Sequence, residues 1–284
     1  QEPATSCGWV FDEHAQAGEY TVRAEVARAC YVLLKVSYHP GWVIEIDPYD
    51  PNFVPKKRTA LGRTKHEGAT VAISRDGRAV VYSGDDERFD YMYKFVSSGR
   101  VKPRREDNFD LLDDGTLYVA RLNDDGSGEW IPLIGGEGLL AGMSHEEVLI
   151  NTRGAADLVG ATKMDRPEDI ETNPVNGKVY CVFTNNTNRG VGTNPGVDAA
   201  NPRVRNRHGH IIELTEDGND PGAESFAWEI FILCGDPSIH PVSSPTPPLA
   251  SEDTFFAGFD PSLVSPISTP DNVVFDKRGN LWIA

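Results

Sequence analysis

Basic residues are scarce in this chain: 27 Lys and Arg stand against 43 Asp and Glu, a formal charge of −16. Nucleic acid is excluded as a partner on that ground, because duplex binding draws on basic side chains to neutralise phosphates. Long apolar runs are missing as well. None approaches the roughly 18 residues that a membrane-spanning helix needs, the best being stretches as short as Cys30 to Val36, so no membrane span is expected. The four cysteines, Cys7, Cys30, Cys181 and Cys234, form no CxxC pair, which removes zinc ribbons and thioredoxin-like redox sites. They read as small core residues. Gln1 to Ser6 offers no basic segment leading into an apolar one, so no signal peptide is visible. There is no GxSxG, no P-loop and no strand-borne GxGxxG, and His66, His208 and His210 lack HExxH spacing and read as loop residues.

What the chain does have is period-2 patterning and turns. Gly41 to Asp47 alternates and stops at Pro48; Val71 to Ser74 and Ala79 to Tyr82 flank Asp76-Gly77 as a hairpin. Asp114-Gly115, Asn176-Gly177, Asp217-Gly218 and Arg278-Gly279 repeat the plan. These turn glycines recur at roughly 40 or roughly 60 residues, which fits four-stranded propeller blades lengthened in places by loop insertions. Residues 184–208 and 235–270 read as those insertions, and loops of such length tend to carry function. Met143 to Asn151 is the one convincing helix, with Ser144 as its N-cap and Glu147 as the capping-box partner. The expected fold is therefore all-β, a β-propeller with long loop insertions. At this spacing six blades need more than 284 residues, and the last residues, Leu281 to Ala284, read as a strand interior, so the propeller is expected to be incomplete, a portion of a longer chain.

An acidic excess is either solvated surface or a set of carboxylates converging on hard cations. Four clusters sit at strand mouths. Lys65-His66-Glu67-Gly68-Ala69 puts a carboxylate before a residue that tolerates crowding; a surface loop Glu is the plainer alternative. Asp85 and Asp86 follow a strand, where adjacent carboxylates repel unless solvated or bridged by a cation such as calcium. Arg166 and Glu168 flank Pro167, so in an extended segment they share a face, suited either to a metal beside a phosphate or to an internal ion pair. Asp271 and Asn272 offer hard oxygen ligands, or simply a Pro-Asp-Asn turn.

In order along the chain, these segments resemble the PhoX-type alkaline phosphatase family. The likeness rests on Gly41 to Pro48, Thr59 to Arg63 running into Lys65 to Ala69, and Gly84-Asp85-Asp86 with Tyr91 to Phe95. It continues through Leu112 to Ala120, Arg166 to Glu171, and Thr269 to Asn272 with Gly279 to Ile283. It spans about Gly41 to the last residue, which sets 41–284 as the partial propeller and leaves 1–40 unplaced. The resemblance implies a six-bladed propeller hydrolysing phosphate monoesters with ferric iron (Fe3+) and calcium (Ca2+), exported folded by the twin-arginine route to a periplasmic or extracellular location. Glu67 and Glu168 would be metal ligands, Asp86 and Asp271 would hold calcium, Arg166 would grip phosphate, and a metal-bound oxygen would attack; Asp85 and Asn272 stand beside them as metal-ligand candidates from their own oxygen chemistry. A monomer is expected. The family's upstream Cys followed by Cys-Glu-Glu is not reproduced by Cys7-Gly8-Trp9 or Cys30-Tyr31, so part of the metal site is expected to be missing. Two other readings stay open: a calcium-dependent six-bladed lactonase and a non-catalytic propeller that binds a partner.

Overall fold

The computed structural model describes residues 41–284 in full and, of the first forty, the backbone of 8–11, 20–26 and 30–36. The chain divides into two compact units, residues 1–59 and 60–284. In the first, β1 (Gly8–Phe11), β2 (Tyr20–Val26) and β3 (Cys30–Val36) form an antiparallel sheet. β4 (Val43–Glu45) pairs with β5 (Lys56–Arg58) as a hairpin, where the buried Arg58 meets Glu45 at 2.5 Å. The side chains of Cys7 and Cys30, and with them any upstream thiolate, lie outside the described residues.

The second unit is a meander of β6 (His66–Ile73), β7 (Arg78–Asp85), β8 (Met92–Arg100), β9 (Gly115–Leu122) and β10 (Ser127–Pro132), then two helices, α1 (His145–Ile150) and α2 (Thr152–Val159). A second meander follows: β11 (Pro167–Thr172), β12 (Val179–Phe183), β13 (His210–Glu216) and β14 (Ser225–Leu233), with β15 (Phe255–Phe256) on its edge. A last hairpin pairs β16 (Val273–Phe275) with β17 (Leu281–Ile283). The two meanders join through β10 and β14 into one ten-stranded antiparallel sheet. Pairing removes two open edges that would otherwise template aggregation. The sheet curls until its end strands approach without a ladder, Thr70 on β6 donating to Glu171 on β11 at 3.3 Å. The result is an all-β, propeller-like fold.

Alternation explains the core. Val80, Tyr82, Met92, Val96, Tyr118, Ala120, Trp130, Ile170, Cys181, Ile212, Leu214 and Trp228 share one buried cluster, drawn from the inward faces of both meanders. Lys94 lies on that face between Met92 and Val96, fully buried, and donates to Glu216 at 3.1 Å and to the carbonyl oxygens of Pro221 and Ala223. Tyr82 and Trp130 also donate to Glu216, so the buried charges are fully partnered. Cys181 and Cys234 are buried free thiols, as expected of small core residues.

Gly77, Gly177, Gly218 and Gly279 take the positive φ that their turns require. Gly115 does not. It opens β9, and what it needs is space, since a Cβ there would fall 2.3 Å from the Val96 carbonyl oxygen. The capping box forms as expected, Ser144 accepting from the Glu147 amide while Glu147 accepts from the Ser144 amide. The reading of one helix is corrected by α2, which ends at Gly160 in the left-handed region. The histidine reading is corrected too. His66 starts β6, and His210 starts β13, where it is fully buried and stacks on Phe183; only His208 lies in a loop. The insertion at 184–208 is less solvated than its polar composition suggests. Arg189, Asn201, Arg203 and Asn206 are buried because they partner Asp165 and backbone carbonyls.

Candidate metal centre

Two irregular strands build the site. β6 shifts register between Glu67 and Thr70, and Gly68 within the shift has φ +66°. A Cβ at Gly68 would sit 2.8 Å from Asp169 Oδ1, which is the crowding anticipated beside Glu67. β11 shifts register between Pro167 and Ile170, the stretch that holds Glu168 and Asp169. Bulges re-aim side chains, and here both do so toward one point. The third arm is Asp86, just past the end of β7.

Glu67, Asp86 and Glu168 each offer a carboxylate oxygen, and these oxygens all lie within 4.8 Å of one another. Three points so spaced share a centre no more than about 2.8 Å from each, a few tenths beyond an ordinary Ca–O bond of about 2.3–2.6 Å. Arg166, at φ +57°, reaches over the cluster, with Nη2 at 2.6 Å from Asp86 Oδ1 and 3.0 Å from Glu168 Oε1. Neither contact has hydrogen-bond geometry, and both oxygens are buried without a hydrogen-bond partner. One guanidinium thus screens the carboxylates without satisfying them. The left-handed backbone at Arg166 is held from both sides. Next to it the fully buried Asp165 takes Arg189 Nε at 2.8 Å and Asn206 Nδ2 at 2.9 Å, and Pro167 follows.

Charge crowding shows in the acidities. Burial, then Asp86 and Asp271, push the Glu168 carboxyl up to about 8. Glu67 is raised by burial and then by Asp86, Asp271 and Asp169, against an opposing pull from Arg166. Asp271 therefore stands within electrostatic reach at the exposed rim, carried there because the Asp169 amide donates to its carbonyl at 3.4 Å and Asp169 Oδ2 takes the Val273 amide at 3.1 Å.

One of the residues marked as a ligand from the sequence is committed elsewhere. Asp85 is fully buried and binds Arg153 of α2 through both oxygens, at 2.7 and 2.5 Å. Asn272 is exposed at the rim beside Asp271, and its backbone carbonyl accepts from the Ala284 amide at 2.9 Å. In the adjacent pair Asp85-Asp86 only Asp86 faces the centre. Arg153 and Asp169 are the residues that sequence reasoning missed. Asp169 lay within the quoted Arg166 to Glu171 stretch, whereas nothing in the local pattern marked Arg153. Carboxylates whose lone pairs lack donors are a fit for a hard cation, and the donor set is all oxygen.

Fold and site together define a propeller-like β-protein with a cluster of convergent carboxylates capped by a guanidinium. The chain belongs to the PhoX alkaline phosphatase family: the family described as "Alkaline phosphatase PhoX" matches residues 3–284, starting upstream of the Gly41 boundary that the motifs set. A solved structure, Pseudomonas fluorescens PhoX in complex with vanadate, a transition state analogue, is similar at 45% identity and a TM-score of 0.76 over 86% of this chain. The match covers 42% of that structure's chain, so this chain spans less than half of the relative's length. No curated protein matches. Among the described residues, no helix is long and apolar enough to cross a membrane.

Proposed function

We propose that this chain carries part of the site of a metal-dependent alkaline phosphatase that hydrolyses phosphate monoesters, lodged in the partial propeller of 41–284. One observation carries the reading: carboxylates from β6, the β7 exit and β11 converge beneath Arg166. The similar P. fluorescens protein, whose complex holds a transition state analogue, supports the reaction class. Glu67, Asp86 and Glu168 would hold the cations, with Asp271 closing the rim; Fe3+ and Ca2+ are the assignment that the family resemblance supports. When bound, such cations polarise phosphoryl oxygens and supply charge that offsets the developing anion. The residues do the rest. With its two carboxylate partners engaged by a cation, Arg166 can turn its N–H fork to the equatorial phosphate oxygens and orient the ester. Asp165, Arg189 and Pro167 hold the backbone from which it reaches. Twin-arginine export and a monomeric state belong to the same family-based proposal.

The test is p-nitrophenyl phosphate turnover by the full chain, with iron and calcium analysis alongside. Chelation is expected to suppress turnover and re-added metal to restore it; hydrolysis that survives exhaustive chelation defeats the proposal. A calcium-only protein that opens lactones, or a metal-free one, would favour the other readings.

Cation binding should also displace a proton. Glu168 in the fold keeps its proton to about pH 8, whereas an unfolded chain gives it up in the ordinary glutamate range near about pH 4.3. Its contribution to the stability of the cation-free fold is therefore fully present below that range and lost as pH rises through about 8. Ca2+ needs the ionised form, so affinity is expected to rise up to roughly tenfold per pH unit toward about pH 8 and then level off. Titration calorimetry from pH 6 upward reads this directly, and a flat profile contradicts it.

A further inference from the structure

We propose that Arg153, on a helix outside the sheet, is the positioning residue of the cation cluster: through the buried carboxylate of Asp85 it locks together the two arms that carry Glu67 and Asp86. The proposal rests on the cation-site reading above. Asp85 is fully buried, and Arg153 grips both its oxygens, Nε to Oδ2 at 2.7 Å and Nη2 to Oδ1 at 2.5 Å. Asp85 Oδ1 also accepts the Lys65 amide at 3.0 Å, and the Lys65 carbonyl accepts the Asp86 amide at 3.0 Å. Lys65 stands two residues before Glu67. A closed circuit of hydrogen bonds thus runs from the guanidinium through Asp85 to both ligand-bearing arms.

The helix is seated on the same arm. The Arg63 amide donates to the Leu149 carbonyl at 2.9 Å and to Thr152 Oγ1 at 3.0 Å, immediately before Arg153. The next residue but two, His66, fastens the arm to Ser83 Oγ and to the Gly62 carbonyl. Register between β6 and β7 alone leaves play here, because the ladder slips between Glu67 and Thr70. The Arg153 circuit supplies the missing constraint. Without the guanidinium, Asp85 becomes a buried charge with one amide left, which must hydrate, and water entering between Lys65 and Asp85 parts the arms. Outer partners of ligand-bearing segments typically set metal affinity by about tenfold to a hundredfold.

The experiment uses the full chain and Ca2+ alone as the probe, in titration calorimetry. Arg153→Ala is expected to weaken Ca2+ binding about tenfold or more, and added methylguanidinium to recover part of that loss by refilling the space beside Asp85. Arg153→Lys keeps the charge without the fork and is expected to bind several-fold more weakly than wild type while melting normally in EDTA. Arg121→Ala, which breaks an exposed pair with Glu129, is the charge-matched control with unchanged affinity. Should Arg153→Ala not fold, Arg153→Lys decides alone. Wild-type affinity in a folded Arg153 variant overturns the proposal, and so does an affinity loss that methylguanidinium leaves untouched, since that marks general damage. A wild-type chain that takes up no Ca2+ sinks the cation-site reading and this proposal with it; a wild-type chain that binds, with Arg153 variants that bind equally, sinks this proposal only.

Discussion

Arg166→Ala is expected to lower kcat for a phosphate monoester by about 100- to 1,000-fold, the usual loss when a preorganised donor to a developing anion is removed. Its fork is ion-paired to Asp86 and Glu168 at 2.6 and 3.0 Å yet completes a hydrogen bond with neither oxygen, so a cation that takes those oxygens frees its N–H groups for phosphate. That arrangement has a second consequence, opposite in sign. Guanidinium and cation compete for the same oxygens, so the alanine variant should bind Ca2+ at least as tightly as wild type while turning over far more slowly. A ligand-supporting role would make both fall together. Arg166→Lys should regain little of the rate, because a point charge cannot offer two parallel donors to planar phosphate oxygens. Backbone strain does not confuse the comparison, since alanine and lysine meet the same left-handed penalty at φ +57° as arginine does. Steady-state kinetics paired with Ca2+ titration separates the outcomes, and unchanged kcat in the alanine variant removes Arg166 from the mechanism.

Legibility of this molecule in its sequence followed the reach of each signal. The turn glycines announced the hairpins because positive φ is a local property, and four of the five expected positions adopt it. Period-2 alternation announced strands, but it does not say which edges join, so the β10 to β14 seam came only from the structure. Ordered motifs brought Glu67, Asp86, Glu168, Arg166 and Asp271 to one region, although the residue spacing by itself favoured no cluster over a solvated turn. Within Asp85-Asp86 the choice of partner turned on which face of the chain met the centre, and a strand end fixes that only once its neighbours are placed. α2 was missed for a local reason: Thr152-Arg153-Gly154 is a weak helix start, with a glycine in the first turn and a β-branched residue before it. Its capping Gly160 was the available clue. His210 and the buried arginines of 184–208 were misplaced because polar residues read as exposed until their partners are known; Asp165 and the carbonyl oxygens that satisfy them come from elsewhere in the chain.

The tightest demand that the site makes on the fold falls on a residue with no side chain. Gly84 in β7 pairs with Glu67 on one side and Met92 on the other, and the backbone of β11 passes across it. A Cβ at this position would lie 2.1 Å from the Glu168 carbonyl oxygen and 2.7 Å from that of Pro167. Both are main-chain atoms, so no rotamer change relieves the overlap. Gly84→Ala must therefore push the peptide that carries Glu168 away by at least about 1 Å to restore ordinary contact. Overpacking of this kind costs about 3 kcal/mol or more when backbone has to yield, and a shift of about 1 Å in a ligand-bearing segment is enough for a rate loss near a hundredfold. Urea unfolding in EDTA should show the stability loss, and Ca2+ titration the weakened site. Gly142→Ala gives the contrast, because its added methyl meets nothing within 4 Å and its φ is not positive; it is expected to be silent in both measurements. If Gly84→Ala unfolds at the wild-type urea concentration and binds Ca2+ as well as wild type, β11 does not cross β7 where the carboxylates converge, and the cluster built on that crossing falls with it.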